Sequence, residues 1–349
     1  MSNYPNIFNY ATKELSQDAF FTWLINWASS EFIGNALHDC AVDFINQMIP
    51  NGEKIEVESV KTWQQWKHID IWASINNKVA IIIEDKIDNS IEGMNKSKDQ
   101  LDSYEEETKK WCIENSYKCF FIFLKTGFIT PKEKRYMVER HGSWRILDRH
   151  DVLTLLNKYR GKISNDIFQD YLSRINDIES EIQSFKTVKV ENWTYYSIQG
   201  FVEEIVKRIN VVDAKWENNK SGGFFGICWH WVECRNKKYS YYLQLELNDY
   251  SADINNKFKL CLRIELYSDD AETRRKDRDS AIKFLDENLS ETDLSIIKKA
   301  VLSKQIVYCM TIKHISQDAW LIKDQNGFLD LDKTLVRLKQ IGCILDKLK

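Results

Sequence analysis

The stretch HIDIWASINNKVAIIIEDKIDNSIEGMNKSKDQLDSY, residues 68–104, decides the fold because it joins two strand patterns to a helix pattern. Residues 68–75 and 79–87 are rich in β-branched side chains, which favour strands. They flank Asn76 and Asn77, which are turn-forming residues, so the stretch predicts an antiparallel hairpin.

Charged residues follow the apolar run 80–83 (AIII), which is typical of a strand covered on both faces. Glu84 and Lys86 share one face because residues two apart in a strand point the same way. Asp85 is expected on the opposite face and is not assigned to the site. A carboxylate and an ammonium at the end of a buried strand are costly to desolvate unless a ligand uses them. A divalent cation would use the carboxylate, and the lysine would steady an attacking hydroxide or a phosphate oxygen.

The register of the hairpin decides whether Asp70 joins Glu84. A two-residue turn at 76–77 would place Asp70 opposite Ile83 and on the other face of the sheet. A three-residue turn at 76–78 would place Asp70 opposite Glu84. A shared carboxylate site therefore requires the three-residue turn or a bulge.

A helix pattern follows, in which Gln100 and Tyr104 are four residues apart and so share a face. Asp70, the Glu84-x-Lys86 triplet and this helical pair resemble the core of the PD-(D/E)XK nuclease superfamily. The triplet alone would be weak evidence, because Glu-x-Lys or Asp-x-Lys also occurs at 107–109 and 213–215. Only the triplet at 84–86 has a carboxylate on a neighbouring predicted strand.

The resemblance extends over residues 5–160. The predicted order of helix, three strands, helix and strand matches the αβββαβ core of that superfamily. The segment ELSQDAFFTWL, with Glu14 expected just ahead of the first helix, resembles a bacterial subgroup of these nucleases. Ile69 stands where the name motif has a proline before Asp70, a departure that many members share.

By this resemblance the chain would be a metal-dependent hydrolase of phosphodiester bonds, with one or two Mg²⁺ or Mn²⁺ ions. The implied catalytic residues are Asp70, Glu84, Lys86, Gln100 and Tyr104, and the implied metal ligands are Asp70, Glu84 and Glu14. Lys86 would act with the attacking water, and Gln100 and Tyr104 would orient the lysine or contact phosphate.

The expected partner is nucleic acid, with DNA favoured over RNA, and the settings that the resemblance implies are restriction, phage defence or repair. Residues 118–162 carry eleven Lys or Arg against four acids, a local charge of +7. Such a patch suits a phosphate-backbone track, or else it is a solvated helical face. An RNA-cleaving enzyme and an inactive nuclease fold that only binds nucleic acid or protein remain open alternatives.

The length of 349 residues indicates two domains. Residues 1–160 are expected to form the nuclease-like α/β domain, with a mixed sheet flanked by helices as in restriction endonucleases. Residues 161–190 predict a helical junction. Residues 191–349 predict an α+β accessory domain with a mainly antiparallel sheet. This second domain would recognise substrate, sense a signal, form a homodimer or bind a partner protein.

The composition and the distribution of apolar residues argue against several other classes of protein. The chain has 49 Lys+Arg against 52 Asp+Glu, a net charge of −3, which excludes a binder that works by bulk positive charge. No apolar run is long enough to span a membrane. The first twenty residues lack the apolar segment of a signal peptide. The eight cysteines form no CxxC pair, so we expect reduced core residues of a cytoplasmic protein rather than a zinc site.

Overall fold

The computed structural model describes residues 5–11, 13–87, 91–92, 94, 96–209, 211–219, 222–234, 237–248, 258–300, 302 and 306–349. The chain forms two compact units, Met1–Ile129 with Glu133–Ser180 and Thr130–Lys132 with Glu181–Lys349. In the part of the chain so described, no helix is long and apolar enough to cross a membrane. The eight cysteines all lie in that part, and none of them forms a disulfide.

The first unit is built on a five-stranded mixed sheet. Its strands are β1 (Val60–Trp66), β2 (Ile69–Ile75), β3 (Val79–Lys86), β4 (Lys118–Lys125) and β5 (Trp144–Asp148). The helices of this part of the chain are α1 (Glu14–Asn26), α2 (Ala36–Met48), α3 (Gln100–Glu114), α4 (Pro131–Arg140), α5 (Arg149–Lys158) and α6 (Asp166–Gln183). The strand order is β1-β2-β3-β4-β5. The first three strands are antiparallel and the last three are parallel, which confirms the predicted αβββαβ arrangement and mixed sheet.

The hairpin of β2 and β3 has the register that a shared carboxylate site requires. Ile71 lies opposite Ile83, and the pairing leaves a three-residue turn over 76–78. One position further outward, the same register would place Asp70 opposite Glu84. Of the two turn lengths that the sequence leaves open, the structure has the three-residue turn that a shared carboxylate site requires.

Each face of this sheet packs on its own set of helices. One face carries Ile71, Ile81 and Ile83 and belongs to a core shared with α1, α2, α5 and α6. The other face carries Trp72 and Ile82 and belongs to a core shared with α3 and α4. The strand β3 is therefore buried on both sides, as its continuous apolar sequence predicts.

The region 161–190 is helical over most of its described length. Phe168, Tyr171 and Leu172 of α6 are part of the first unit's core. Two short 3₁₀ turns follow, Ser184–Lys186 and Val190–Asn192. The first half of α6 thus packs as a component of the first unit.

The second unit contains a six-stranded sheet with helices. Its strands are β6 (Val211–Asn219), β7 (Gly222–Glu233), β8 (Tyr239–Asn248), β9 (Phe258–Leu266), β10 (Ile297–Lys299) and β11 (Cys309–Ile315). Its helices are α7 (Tyr195–Arg208), α8 (Ala271–Asn288), α9 (Glu291–Ser295), α10 (Gln317–Trp320) and α11 (Leu331–Leu345). The strand order is β10-β11-β9-β8-β7-β6, and every pairing is antiparallel, as predicted. Phe201 of α7 packs against Phe258, and the Tyr241 hydroxyl donates to the carbonyl of Ala281 in α8.

Candidate functional site

Three charged side chains meet where β2 begins and β3 ends. The ammonium nitrogen of Lys86 lies 2.6 Å from Glu84 Oε1 and 3.8 Å from Asp70 Oδ2. By strand parity all three residues belong to the face of the sheet that packs on α3. The Glu84 side chain is fully buried, whereas the side chains of Lys86 and Asp70 are 11% and 15% exposed to solvent. Solvent therefore reaches this group through Lys86 and Asp70.

The negative charge of the Glu84 carboxylate is only partly balanced by nearby cations and hydrogen-bond donors. Burial raises the pKa of Glu84 well above its ordinary value, and the nearby Asp70 carboxylate raises this pKa further against the lowering effect of Lys86. Among the described residues, no hydrogen-bond donor reaches Glu84 Oε2. Burial lowers the pKa of Lys86, but its contact with Glu84 more than offsets this and holds the pKa above its usual range. One ammonium thus faces two carboxylates, which leaves the group short of positive charge.

The backbone around Asp70 is held in an unusual conformation. Gln65, Lys67 and His68 have φ angles of 53°, 56° and 66°, the left-handed region that side chains other than glycine rarely adopt. Asp70 Oδ1 accepts a hydrogen bond from Gln65 Nε2 at 3.0 Å, and Oδ2 accepts one from the Asp85 backbone N–H at 3.0 Å. Strained turns persist where surrounding contacts fix them, often at functional sites. This turn was not predicted from the sequence, because no glycine marks it among residues 65–68.

The helix α3 supplies a hydrogen-bonded pair beside the carboxylates. The Tyr104 hydroxyl donates to the His68 carbonyl at 2.6 Å and accepts from Gln100 Nε2 at 2.7 Å. Gln100 Oε1 is buried, and none of the described side chains or amides donates to it. Burial raises the pKa of Tyr104 to about 12, with contributions from Glu84 and Asp70 that show how near the carboxylates lie. Tyr104 therefore ties α3 to the turn before β2.

Glu14 is the first residue of α1 and not a residue ahead of the helix, which corrects the expected helix start. Its Oε1 accepts a hydrogen bond from the Ile87 backbone N–H at 3.3 Å, directly after β3. Glu14 also adds to the negative charge that acts on Lys86. The structure thus gathers the six residues singled out from the sequence at one end of the sheet: Glu14, Asp70, Glu84, Lys86, Gln100 and Tyr104.

Two polar residues of α1 at this end were not found from the sequence. Gln17 and Asp18 are buried, and both contact Asp85, which lies on the sheet face opposite Glu84 as predicted. The spacing of Glu14, Gln17 and Asp18, at positions i, i+3 and i+4, puts them on one side of the helix. That spacing was the available signal, because it aligns three polar residues on one side of the helix.

A second group of ligand-type side chains lies at the start of α3. One ligand atom from each of Asp99, Asp102 and His141 lies within 4.8 Å of the others, so the group is a candidate for a cation. Its oxygens already have partners: Asp99 Oδ2 accepts from the Tyr136 hydroxyl and lies 2.8 Å from His141 Nε2, and Asp102 contacts Arg140. Asp99 and Asp102 also form a capping box at the helix N-terminus. Because a metal ion would have to displace Arg140, we interpret this group as the cap of α3.

The basic stretch 118–162 is partly neutralised within the fold. At least five of its eleven cations contact acidic side chains: Lys118 with Glu53, Lys125 with Glu133, Arg140 with Asp102, Arg149 with Glu179 and Lys158 with Asp43. Lys134, Arg145, Arg160 and Lys162 are exposed. The charge available to an external anion is therefore smaller than the sequence count of +7.

A family model described as the PD-(D/E)XK nuclease superfamily matches residues 5–220, more than half of the chain. The match extends past residues 5–160, over which the sequence motifs resemble that superfamily. The predicted resemblance is therefore confirmed. No curated protein and no solved structure matches the chain.

Proposed function

Because the chain belongs to the PD-(D/E)XK nuclease superfamily, we propose that it hydrolyses phosphodiester bonds of DNA with Mg²⁺ or Mn²⁺. The observation that carries the proposal is the carboxylate pair of Asp70 and Glu84 with the Lys86 ammonium beside it. This group lies at the end of β3, inside the region that the family model covers.

The residues present fit a hard divalent cation. Glu84 offers a buried oxygen that no described donor satisfies. Each Asp70 oxygen accepts one hydrogen bond and keeps a second lone pair. Mg²⁺ prefers such carboxylate oxygens and is commonly held by one or two of them with retained water. Asp70 and Glu84 would hold the ion, and Glu14 would add a third carboxylate from α1.

The protein's own groups would work around that ion. When bound, the ion supplies positive charge that lowers the pKa of water and neutralises charge on the phosphate. Burial lowers the pKa of Lys86, and the contact with Glu84 more than offsets this. We assign Lys86 an electrostatic role, in which its ammonium stabilises negative charge that develops on the nucleophile or the phosphate.

The pair on α3 would orient groups at the site. The Tyr104 hydroxyl donates its hydrogen to the His68 carbonyl, so its role would be to fix the turn that precedes Asp70. Gln100 Oε1 can only accept a hydrogen bond, so it would orient a donor such as the lysine or the attacking water and would not bind a phosphate oxygen.

The test is an incubation of the purified protein with circular DNA, linear DNA and RNA in Mg²⁺, Mn²⁺ or EDTA. We expect cleavage of circular DNA in Mg²⁺ or Mn²⁺ and none in EDTA. Glu84→Gln, purified in parallel, should be inactive and controls for a contaminating nuclease. Cleavage of RNA alone would replace the DNA assignment. Binding without cleavage under every condition would favour the inactive binding module.

The proposed setting is restriction or phage defence in the cytoplasm. A host that expresses the wild-type protein should then give fewer phage plaques than a host that expresses Glu84→Gln at the same level. Equal plaque numbers across a panel of phages would argue for another role, such as repair.

A further inference from the structure

A buried polar cluster lies behind the site, on the other face of β3. Gln17 Nε2 donates to Asp85 Oδ1 at 2.7 Å and lies 3.4 Å from the Lys86 carbonyl oxygen. Gln17 Oε1 accepts from the Thr126 hydroxyl at 2.8 Å and from the Tyr171 hydroxyl at 3.0 Å. One amide side chain of α1 thus binds the end of β3, the residue after β4, and α6.

Asp18 completes the cluster. Its carboxyl group is hydrogen-bonded to that of Asp85, and both residues are buried. In the described part of the chain, no donor reaches Asp18 Oδ1 or Asp85 Oδ2. Burial raises the pKa of Asp85 well above its ordinary value and that of Asp18 to about 6. A shared proton lets the two carboxyl groups bond to each other.

This cluster is joined to the site through the backbone of a single residue. The Asp85 N–H donates to Asp70 Oδ2 at 3.0 Å, and its neighbours along β3 are Glu84 and Lys86. A displacement of Asp85 would therefore move both proposed metal carboxylates and the lysine.

We propose that Gln17, Asp18 and Asp85 are positioning residues that hold the end of β3 in the geometry that the proposed metal site needs. The inference rests on the proposed function, since it concerns the same carboxylates. None of the three side chains is assigned to the metal or the substrate. They act on Asp70, Glu84 and Lys86 through the strand.

The chemistry of the cluster favours positioning over simple packing. Apolar side chains of similar size would fill the same space without the cost of desolvating two carboxyl groups and an amide. Hydrogen bonds are directional, however, and the bonds of Gln17 to Asp85, Thr126 and Tyr171 specify one arrangement where an apolar core allows several. Such a fixed arrangement matters at the end of β3, because the proposed metal site needs Asp70, Glu84 and Lys86 at defined positions relative to one another.

The experiment compares full-length wild-type protein with Gln17→Met, Asp85→Asn and a matched control, Asn26→Leu. Gln17→Met keeps side-chain length and removes the amide. Asp85→Asn keeps the side-chain size and an oxygen that accepts the hydrogen bond from Gln17. Asn26 lies at the other end of α1, where its amide donates to the Thr22 carbonyl and the Thr62 hydroxyl, far along the helix from the site. Thr126→Val, which removes one donor to Gln17, provides a milder variant if Gln17→Met does not fold.

Two quantities are measured: hydrogen–deuterium exchange of the peptide spanning residues 80–87, and Mn²⁺ affinity by calorimetry. We expect Gln17→Met to exchange at least tenfold faster in this peptide and to bind Mn²⁺ at least tenfold more weakly. Thr126→Val should change both in the same direction by less, whereas Asp85→Asn and Asn26→Leu should resemble the wild type.

A folded Gln17→Met protein with wild-type exchange and wild-type Mn²⁺ affinity would overturn the proposal. So would an equal loss in Asn26→Leu, because the effect would then be general destabilisation. If the wild-type protein binds no Mn²⁺, the proposed function fails. The exchange data alone then decide whether the cluster fixes the strand end.

Discussion

Replacement of Asp18 by asparagine is expected to stabilise the protein at pH 8 and to change its stability little at pH 4. Burial raises the pKa of Asp18 from 3.8 to about 6 in the folded protein, so ionisation of this group opposes folding. A raised carboxyl pKa favours the folded state below pH 3.8, and this advantage is lost as the pH rises through about 6. Asparagine does not ionise, so the variant escapes the loss and keeps a hydrogen bond to Asp85.

The size of the effect follows from the two pKa values. The difference between 3.8 and about 6 corresponds to up to about 3 kcal/mol at pH 8, because one pKa unit is worth about 1.4 kcal/mol. At pH 4 most Asp18 in the folded state is protonated, and the variant should differ from wild type by less than about 1 kcal/mol. Asp18→Asn is therefore expected to be more stable than the wild type, by a margin that grows with pH.

Urea unfolding between pH 4 and pH 8, in EDTA and followed by tryptophan fluorescence, measures this difference. Asp43→Asn is the matched control with the opposite sign. Despite some burial, hydrogen bonds from Lys158 and Tyr159 lower the pKa of Asp43, so its contribution to stability is present above pH 3.8 and is lost in acid. Relative to the wild type, Asp43→Asn should therefore become less stable as the pH rises. A stability difference for Asp18→Asn that stays constant between pH 4 and pH 8 would refute the reasoning.

Three further predictions concern the site, the cap of α3 and the second unit. Glu84→Gln should abolish Mn²⁺ binding measured by calorimetry, and unchanged Mn²⁺ affinity would contradict this. The same variant should raise the thermal stability of the metal-free protein at pH 8, because it removes a carboxylate whose pKa is raised by burial. Asp99→Ala removes the capping side chain of α3 and should cost about 1–2 kcal/mol of stability while the number of bound Mn²⁺ ions stays the same; loss of one bound ion would instead make this group a metal site. Gly200→Ala should destabilise the protein in urea by about 3 kcal/mol, because its Cβ would lie 1.9 Å from the Ile182 carbonyl oxygen. Gly142→Ala, whose Cβ would meet its nearest neighbour at 3.6 Å, is the neutral control, and equal effects would refute the overlap argument.

The first unit could be predicted well from the sequence because its signals are local. The strand patterns of β2 and β3 and the turn residues between them define the hairpin, and residue parity along each strand shows which side chains share a face. Parity alone left two registers open for the hairpin, and only the one with the three-residue turn, which the structure has, brings Asp70 and Glu84 to the same face. The residues of α3 could be placed on one face by their spacing alone, although their hydrogen bond to the turn at His68 could not.

The parts that escaped prediction depend on partners distant in sequence. The strand β6 reads VVDAKWENN, with no sustained alternation of apolar and polar residues, and it is defined by pairing with β7. Gln17 and Asp18 look like solvent-facing residues of a helix. They are buried because α1 is covered by β3 and α6, and polar burial can be recognised only when the partner groups are known.

The most direct test of the central claim is the rate of DNA cleavage in Mg²⁺ by wild type, Lys86→Ala and Lys109→Ala, together with DNA affinity in EDTA. Lys109 belongs to a second Glu-x-Lys triplet and pairs with Glu105 on the exposed side of α3, so it is a matched control. The account predicts a loss of about 10²–10³ in rate for Lys86→Ala, with DNA affinity and fold retained, and wild-type behaviour for Lys109→Ala. DNA cleavage by Lys86→Ala at the wild-type rate would contradict the assignment of this site.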